Sequence, residues 1–325
     1  MLGIDLGSNT LRALEMDENF QKIAEYEFII AAAKNLNITG KIGDEAILNL
    51  RKALQTLALK YELKNALIVA TAAFRKASNA KELFLELKQE FGAEFKIIDA
   101  KTEAKLSVLG MKTGLLTLGL SEEFAYCDLG GASCELSFKG VFKSFDFGII
   151  TFYEKAKPQN LSQKSTINKA YLKKYPQFIQ NLKDKKLKLH FLIYDKRLCS
   201  LAFRAFDELK EIKKQLAKFK AKKIVLNSGV PTSLCALKLG LSYEDYDFTK
   251  INGKRLCVND FLKFGIKLWN MRENEAREFV GNSRKNYIVA GCFLLFALFE
   301  KQKLIVIDEG LREGVCIATL KNIAF

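Results

Sequence analysis

Hydrophobic and polar positions alternate with a period of two over three successive stretches, LGIDLG, TLRALEMD and KIAEYEFIIAA, which predicts three consecutive strands joined by turns. The period then lengthens. GDEAILNLRKALQTLALKYEL returns its apolar residues at helical spacing, and NAKELFLELKQEF does the same. Between them NALIVATAAF is a continuous apolar run of the kind a buried strand shows. FKIID predicts another short strand, and KTEAKLSVLGMKTGL a helix that ends near Gly110 or Gly114.

The second part of the chain starts over. FAYCDLG, SCELSF and GVFKSFDFG read as three strands, followed by helices, the strand KKIVLNSG, the helix PTSLCALKLGL, further helices and the strand KLIVID. Two successive units that each begin β-β-β and continue into α/β structure predict a duplicated α/β fold. A chain of 325 residues is also long for a single core. The expected domains are residues 1–120 and 121–325, the second with extra helices. The three prolines, Pro158, Pro176 and Pro231, are too scattered to make a linker.

Composition narrows the partners. Hydrophobic residues make up 49% of the chain and charged residues 27%, the balance of a folded protein. A net charge of +15 favours a polyanionic partner: nucleic acid, an anionic membrane or a polyphosphorylated substrate. The lysines are spread over helical stretches such as KKYPQFIQNLKDKKLKLH and KKQLAKFKAKK, which solvated helix faces would explain equally well. No nucleic-acid-binding module is recognisable, so neither nucleic acid nor membrane is the expected partner. The N-terminus enters a strand directly with no leader pattern, and the longest apolar run, YIVAGCFLLFALF, predicts a buried helix too short to span a bilayer. Seven dispersed cysteines without a CxxC pair indicate reduced thiols and a cytoplasmic location. His190, the sole histidine, is expected to be structural, which leaves chemistry to carboxylates, a metal, arginine and backbone amides.

One pattern occurs twice. GIDLGSNTLRALE and CDLGGASCELSF each end a strand with an aspartate, Asp5 or Asp128, and then turn on glycine. Glycine lets the backbone approach a ligand closely, and successive free N–H groups in such a turn suit phosphate oxygens. The neighbouring aspartate repels an anion, but makes sense if it holds Mg²⁺, which binds through one or two carboxylates plus substrate phosphates. One such turn is commonly a plain hairpin; two, at the same point of two similar units, can grip one phosphate chain from both sides. Seven residues after the aspartate the copies differ: Arg12 in the first, Glu135 in the second. Alternation after Ala132 puts Ser133, Glu135 and Ser137 on one strand face, where Glu135 can join Asp128 around a metal. An exposed strand glutamate and a surface arginine are the plain alternatives.

DLGSNTLR, TGKIGDEAI, ATAAFRKASN, IIDAKTEAKLSVLG, DLGGASCELSF, FGIITFYE, RKNYIVAG and GLREGV stand in the order and spacing of the exopolyphosphatase/guanosine pentaphosphate phosphohydrolase (Ppx/GppA) family, which the chain resembles from residue 2 to about 318. The resemblance implies two ribonuclease-H-like domains of the actin/sugar-kinase superfamily flanking a cleft. It also implies Mg²⁺-dependent hydrolysis of terminal phosphates from inorganic polyphosphate or guanosine pentaphosphate; the expected partners are polyphosphate or guanosine penta- or tetraphosphate, with a homodimer as one assembly to consider. On the matching positions, Glu103 corresponds to the catalytic base, Asp128 and Glu135 to the acids near the metal and attacking water, and Arg75 to a phosphate-contacting arginine with Asn79 nearby. Gly130, Gly131 and Ser133 correspond to the second phosphate loop, and Asp5, Gly7, Ser8 and Asn9 to the first; Asp5, Asp128 and Glu135 are the expected metal acids. Three positions depart from the family pattern. Thr102 stands where a second glutamate is usual, Ala132 replaces a third glycine, and NSGVPTS replaces a loop that is typically Gly-Thr-Gly-Gly-Thr. A phosphotransferase of the same superfamily and a non-catalytic sensor of polyphosphate or alarmone are the alternative functions.

Overall fold

The computed structural model describes residues 1–156 and 196–325; His190 lies outside the described residues. Compactness divides the chain into unit 1, formed by Met1–Ser121, Tyr126–Thr151 and Glu309–Phe325, and unit 2, formed by Glu122–Ala125 and Phe152–Asp308. The expected boundary near residue 120 coincides with the end of the first segment of unit 1, which draws on two later segments as well.

Unit 1 opens with an antiparallel meander, β1 (Leu2–Leu6), β2 (Thr10–Met16) and β3 (Lys22–Ile29). After α1 (Leu36–Thr39) and α2 (Asp44–Ala58), strand β4 (Leu67–Ala70) returns parallel to β1. The short α3 (Ala72–Lys76) and α4 (Ala80–Phe91) lead to β5 (Glu94–Ile97), parallel to β4, and then to α5 (Ala100–Thr117). The sheet order is β3-β2-β1-β4-β5, the ribonuclease-H-like arrangement. A second antiparallel meander follows, β6 (Ala125–Leu129), β7 (Cys134–Phe138) and β8 (Val141–Phe145), and leads into α6 (Ile149–Ala156).

Unit 2 contains α7 (Lys196–Glu208), α8 (Lys210–Phe219), β9 (Lys223–Asn227), α9 (Gly229–Leu239), α10 (Phe248–Ile251), β10 (Arg255–Leu256), α11 (Val258–Asn270), α12 (Glu273–Val280), α13 (Lys285–Leu298) and β11 (Lys303–Val306). Strand β11 runs parallel to β9 and antiparallel to β10. In chain order the second half therefore repeats the first: a meander of three, then parallel strands separated by helices. Helix α13 contains most of the long apolar run and is buried from Ile288 to Leu298. No helix among the described residues is long and apolar enough to cross a membrane. No cysteine is paired, and all but Cys257 are buried.

Two sequence expectations need correction. NALIVATAAF is strand only to Ala70; Thr71 donates its N–H to Leu6 O and the chain turns into α3. Helix α5 does not stop at Gly110 or Gly114 but continues to Thr117. The reason is packing. A Cβ at Gly110 would collide with the Gly310 carbonyl, and one at Gly314 with the Leu106 carbonyl. The glycines let α5 lie directly against α14 (Leu311–Leu320), the last helix of unit 1. Leu106 and Ile98 pack with Val69, Leu311 and Val315 in the same core.

Candidate active site

The two acidic turns close with the same hydrogen bond, and both belong to unit 1. Gly7 donates its N–H to Thr10 O at 2.9 Å, and Gly130 donates its own to Ser133 O at 3.0 Å. In each turn a Cβ on that glycine would crowd the carbonyl it binds, at 3.3 Å. The turns also adjoin: a Cβ at Gly131 would lie 3.0 Å from the Ser8 Cβ. Both are held from outside through their carbonyls. Ala33 donates to Ser8 O, Ile30 and Ala31 donate to Asn9 O, and Ile149 and Ile150 donate to Gly130 O and Gly131 O. Gly148 lies so close beneath the second turn that a Cβ there would strike the Ala132 nitrogen. The N–H groups of Ser8, Asn9 and Gly131 make no hydrogen bond among the described residues.

Strand register fixes what each turn carries. Asp5 pairs with Arg12 across β1 and β2; Asp128 pairs with Glu135 across β6 and β7. Glu135 is not an exposed strand glutamate. It is 4% exposed and accepts the Ser144 hydroxyl at 3.0 Å. Burial, reinforced by the charges of Glu103 and Asp128, raises its carboxyl well above the usual carboxylate range. Asp128 accepts the Ser107 hydroxyl at 2.7 Å and is also raised, chiefly by burial. Burial pushes Asp5 up to about 7 against the pull of Arg12, with Glu103 and Asp128 adding to the rise. Its Oδ1 is buried and has no hydrogen-bond partner. Arg12 itself bonds Glu27 Oε2 at 3.0 Å.

Glu103 stands in the first turn of α5, whose N-cap Asp99 accepts from the Thr102 amide at 2.7 Å. Arg75, from α3, donates to Glu103 Oε2 at 2.6 Å and to Ile98 O at 2.9 Å, and so ties the helix start to the end of β5. Burial lifts Glu103 to about 7 even so, with Arg75 opposing and Asp128 adding to the rise. Three acids thus influence one another across β1, β6 and α5. Among the described residues no three His, Cys, Asp or Glu side chains converge as a preformed metal shell. The donor set suits a cation that takes one or two carboxylates and fills the rest of its shell from water and phosphate. The unpartnered Asp5 Oδ1 and the partly buried Asp128, also an acid, are the observations that fit it.

A family model for the Ppx/GppA phosphatase family matches residues 13–323. The chain belongs to the Ppx/GppA phosphatase family. Solved structures similar to it include an exopolyphosphatase-like protein (20% identical, TM-score 0.75, 99% of each chain covered). An exopolyphosphatase from Cytophaga hutchinsonii is 17% identical with a TM-score of 0.74, over 99% of this chain and 98% of that one. The Ppx/GppA family member from Aquifex aeolicus is 25% identical with a TM-score of 0.67, over 100% and 98%.

Not every residue expected in a Ppx/GppA site offers itself to a ligand. Both ends of the Asn79 amide are engaged with Ile42, whose N–H it accepts at 2.9 Å and whose carbonyl it bonds at 3.0 Å. Asn79 thus fastens the loop before α2. Ser133 is 3% exposed and its carbonyl closes the second turn. Conversely, Ser107, Ser144 and Lys76 were not foreseen. Lys76 bonds Ala132 O at 3.2 Å and pairs with Asp146 at 3.3 Å. The four-residue spacing of Glu103 and Ser107 was the one available signal for Ser107.

The altered NSGVPTS segment lies in unit 2, where Asn227 ends β9, Ser228 makes the turn and residues 229–233 open α9. Ser228 adopts φ 119°, a conformation that favours glycine, and its buried hydroxyl has no partner. Asn227 bonds Ile307 O and Asp308 O at 2.8 and 3.0 Å, which holds the loop to the end of β11. A Cβ at Gly229 would lie 2.5 Å from Arg284 Nη2, so RKNYIVAG meets this loop through its arginine.

Proposed function

We propose that the protein hydrolyses the terminal phosphoanhydride bond of inorganic polyphosphate or of guanosine pentaphosphate, releasing orthophosphate in a Mg²⁺-dependent reaction. The observation that supports this reading most is the adjacency of two acidic turns with unspent amides to three partly buried carboxylates. Ser8, Asn9 and Gly131 would donate N–H bonds to terminal phosphoryl oxygens, and Arg12 would add positive charge on the first-turn side. Asp5 and Asp128 would hold Mg²⁺, with Glu135 beside Asp128; the bound cation supplies neutralisation of phosphate charge. Glu103, poised near neutrality, accepts a proton from the attacking water as the P–O bond to the leaving phosphate breaks. Arg75 holds Glu103 in place for that transfer.

The test is orthophosphate release from polyphosphate and from guanosine pentaphosphate with Mg²⁺, beside a Glu103→Ala control and an arm with ATP and candidate acceptors. Release by the wild type and its loss in the variant supports hydrolysis. Transfer to an acceptor would favour a phosphotransferase, and retained binding with no release a sensor.

A further inference from the structure

Helix α5 carries Glu103 and Ser107 four residues apart, on one face. Ser107 is 1% exposed. A serine or threonine inside a helix ordinarily turns its hydroxyl back to the carbonyl four residues earlier. Thr113 and Thr117 of this same helix do so, bonding Leu109 O and Thr113 O at 3.1 Å. Ser107 instead donates to Asp128 Oδ2 at 2.7 Å. That bond occupies one carboxylate oxygen and leaves Oδ1 as the oxygen for another partner. Ser144 treats Glu135 likewise, through Oε1. Asp5 has no such bond at Oδ1, which is buried and unpartnered.

We propose that Ser107 is a positioning residue that fixes which oxygen of Asp128 is presented to a divalent cation. Helix α5 then sets the proton acceptor and the cation-holding acid together, because Glu103 and Ser107 move as one rigid face. The close crossing at Gly110, three residues beyond Ser107, fixes the depth of that face. The inference rests on the reading that a divalent cation binds at this site.

The experiment measures Mn²⁺ binding to the purified full chain by electron paramagnetic resonance, for wild type, Ser107→Ala and Ser107→Thr, with circular dichroism to confirm folding. Phosphate release titrated with Mg²⁺ runs alongside. The expected result is that Ser107→Ala weakens Mn²⁺ binding by about tenfold or more, since a hydrogen bond to a charged group is lost. Ser107→Thr keeps the hydroxyl and stays within about threefold of wild type. Saturating Mg²⁺ restores most of the Ser107→Ala turnover with KM unchanged. Equal Mn²⁺ binding by wild type and Ser107→Ala, or binding by Ser107→Thr as weak as by Ser107→Ala, overturns the inference while hydrolysis by the wild type leaves the proposed function standing. Serine-dependent Mn²⁺ binding without hydrolysis of any substrate upholds the inference and defeats the proposed function. Failure of the wild type to bind Mn²⁺ overturns it too.

Discussion

Asp128 faces Glu135 across β6 and β7 at the register position where Asp5 faces Arg12 across β1 and β2. One hairpin therefore brings two acids together, and the other an acid and a cation. Substitutions should separate the two roles. Glu135→Gln is expected to lower kcat by about 100-fold with little change in KM, because the acid acts where charge develops. Arg12→Gln is expected to raise KM by about tenfold and to change kcat less, as loss of one charged bond to phosphate predicts. Orthophosphate release against substrate concentration decides it, and the opposite division of effects would refute the assignment.

The pH profile should report Glu103. A base must be deprotonated to act, and burial places this one near 7. The rate constant kcat/KM should rise with pH and level off above about 7. Arg75 pulls that value down, so Arg75→Gln should move the rising limb to higher pH. A limb that stays put on losing Arg75 would show that another group is being titrated.

Stability should bear the cost of Asp5. Its folded value, about 7, lies above its ordinary 3.8, so its favourable contribution is present below about 3.8 and is lost as pH rises through about 7. Asp5→Asn should therefore raise Tm at pH 8 by at least about 2 °C, a gain that fades toward pH 4. Mg²⁺ should raise the Tm of the wild type and do much less for Asp5→Asn. Calorimetry at the two pH values, with and without Mg²⁺, checks both halves.

Ser228→Gly should stabilise unit 2 by about 1 kcal/mol, because it relieves the positive φ and removes an unpartnered hydroxyl. Chemical denaturation at one pH measures it. A loss of stability instead would mean that the serine earns its place through a bond formed in solution.

Both hairpins were legible because their alternation, aspartate and glycines are local signals, and register then forced Glu135 opposite Asp128. What escaped the sequence was set by distant partners. Gly110 and Gly114 read as helix stops, yet Gly110 serves a crossing with residues 200 positions later. Asn79 read as a ligand residue within its motif, but its amide is taken by Ile42, 37 residues away. Ser107 carries no motif of its own; only folding shows that its hydroxyl leaves the helix for Asp128.

The crossing of α5 on α14 has a consequence for biosynthesis. The helix that bears Glu103 emerges early, but the surface its Gly110 fits is not made until residues 310–314 have been translated. Strand β2 waits as well, since Leu14 and Met16 pack on Cys316 and Ile317. A nascent chain still lacking α14 carries Asp5, Glu103, Asp128 and Glu135 but not the surface on which α5 packs. On the proposed function, truncation ahead of that helix should therefore cost hydrolysis although every proposed site acid is retained.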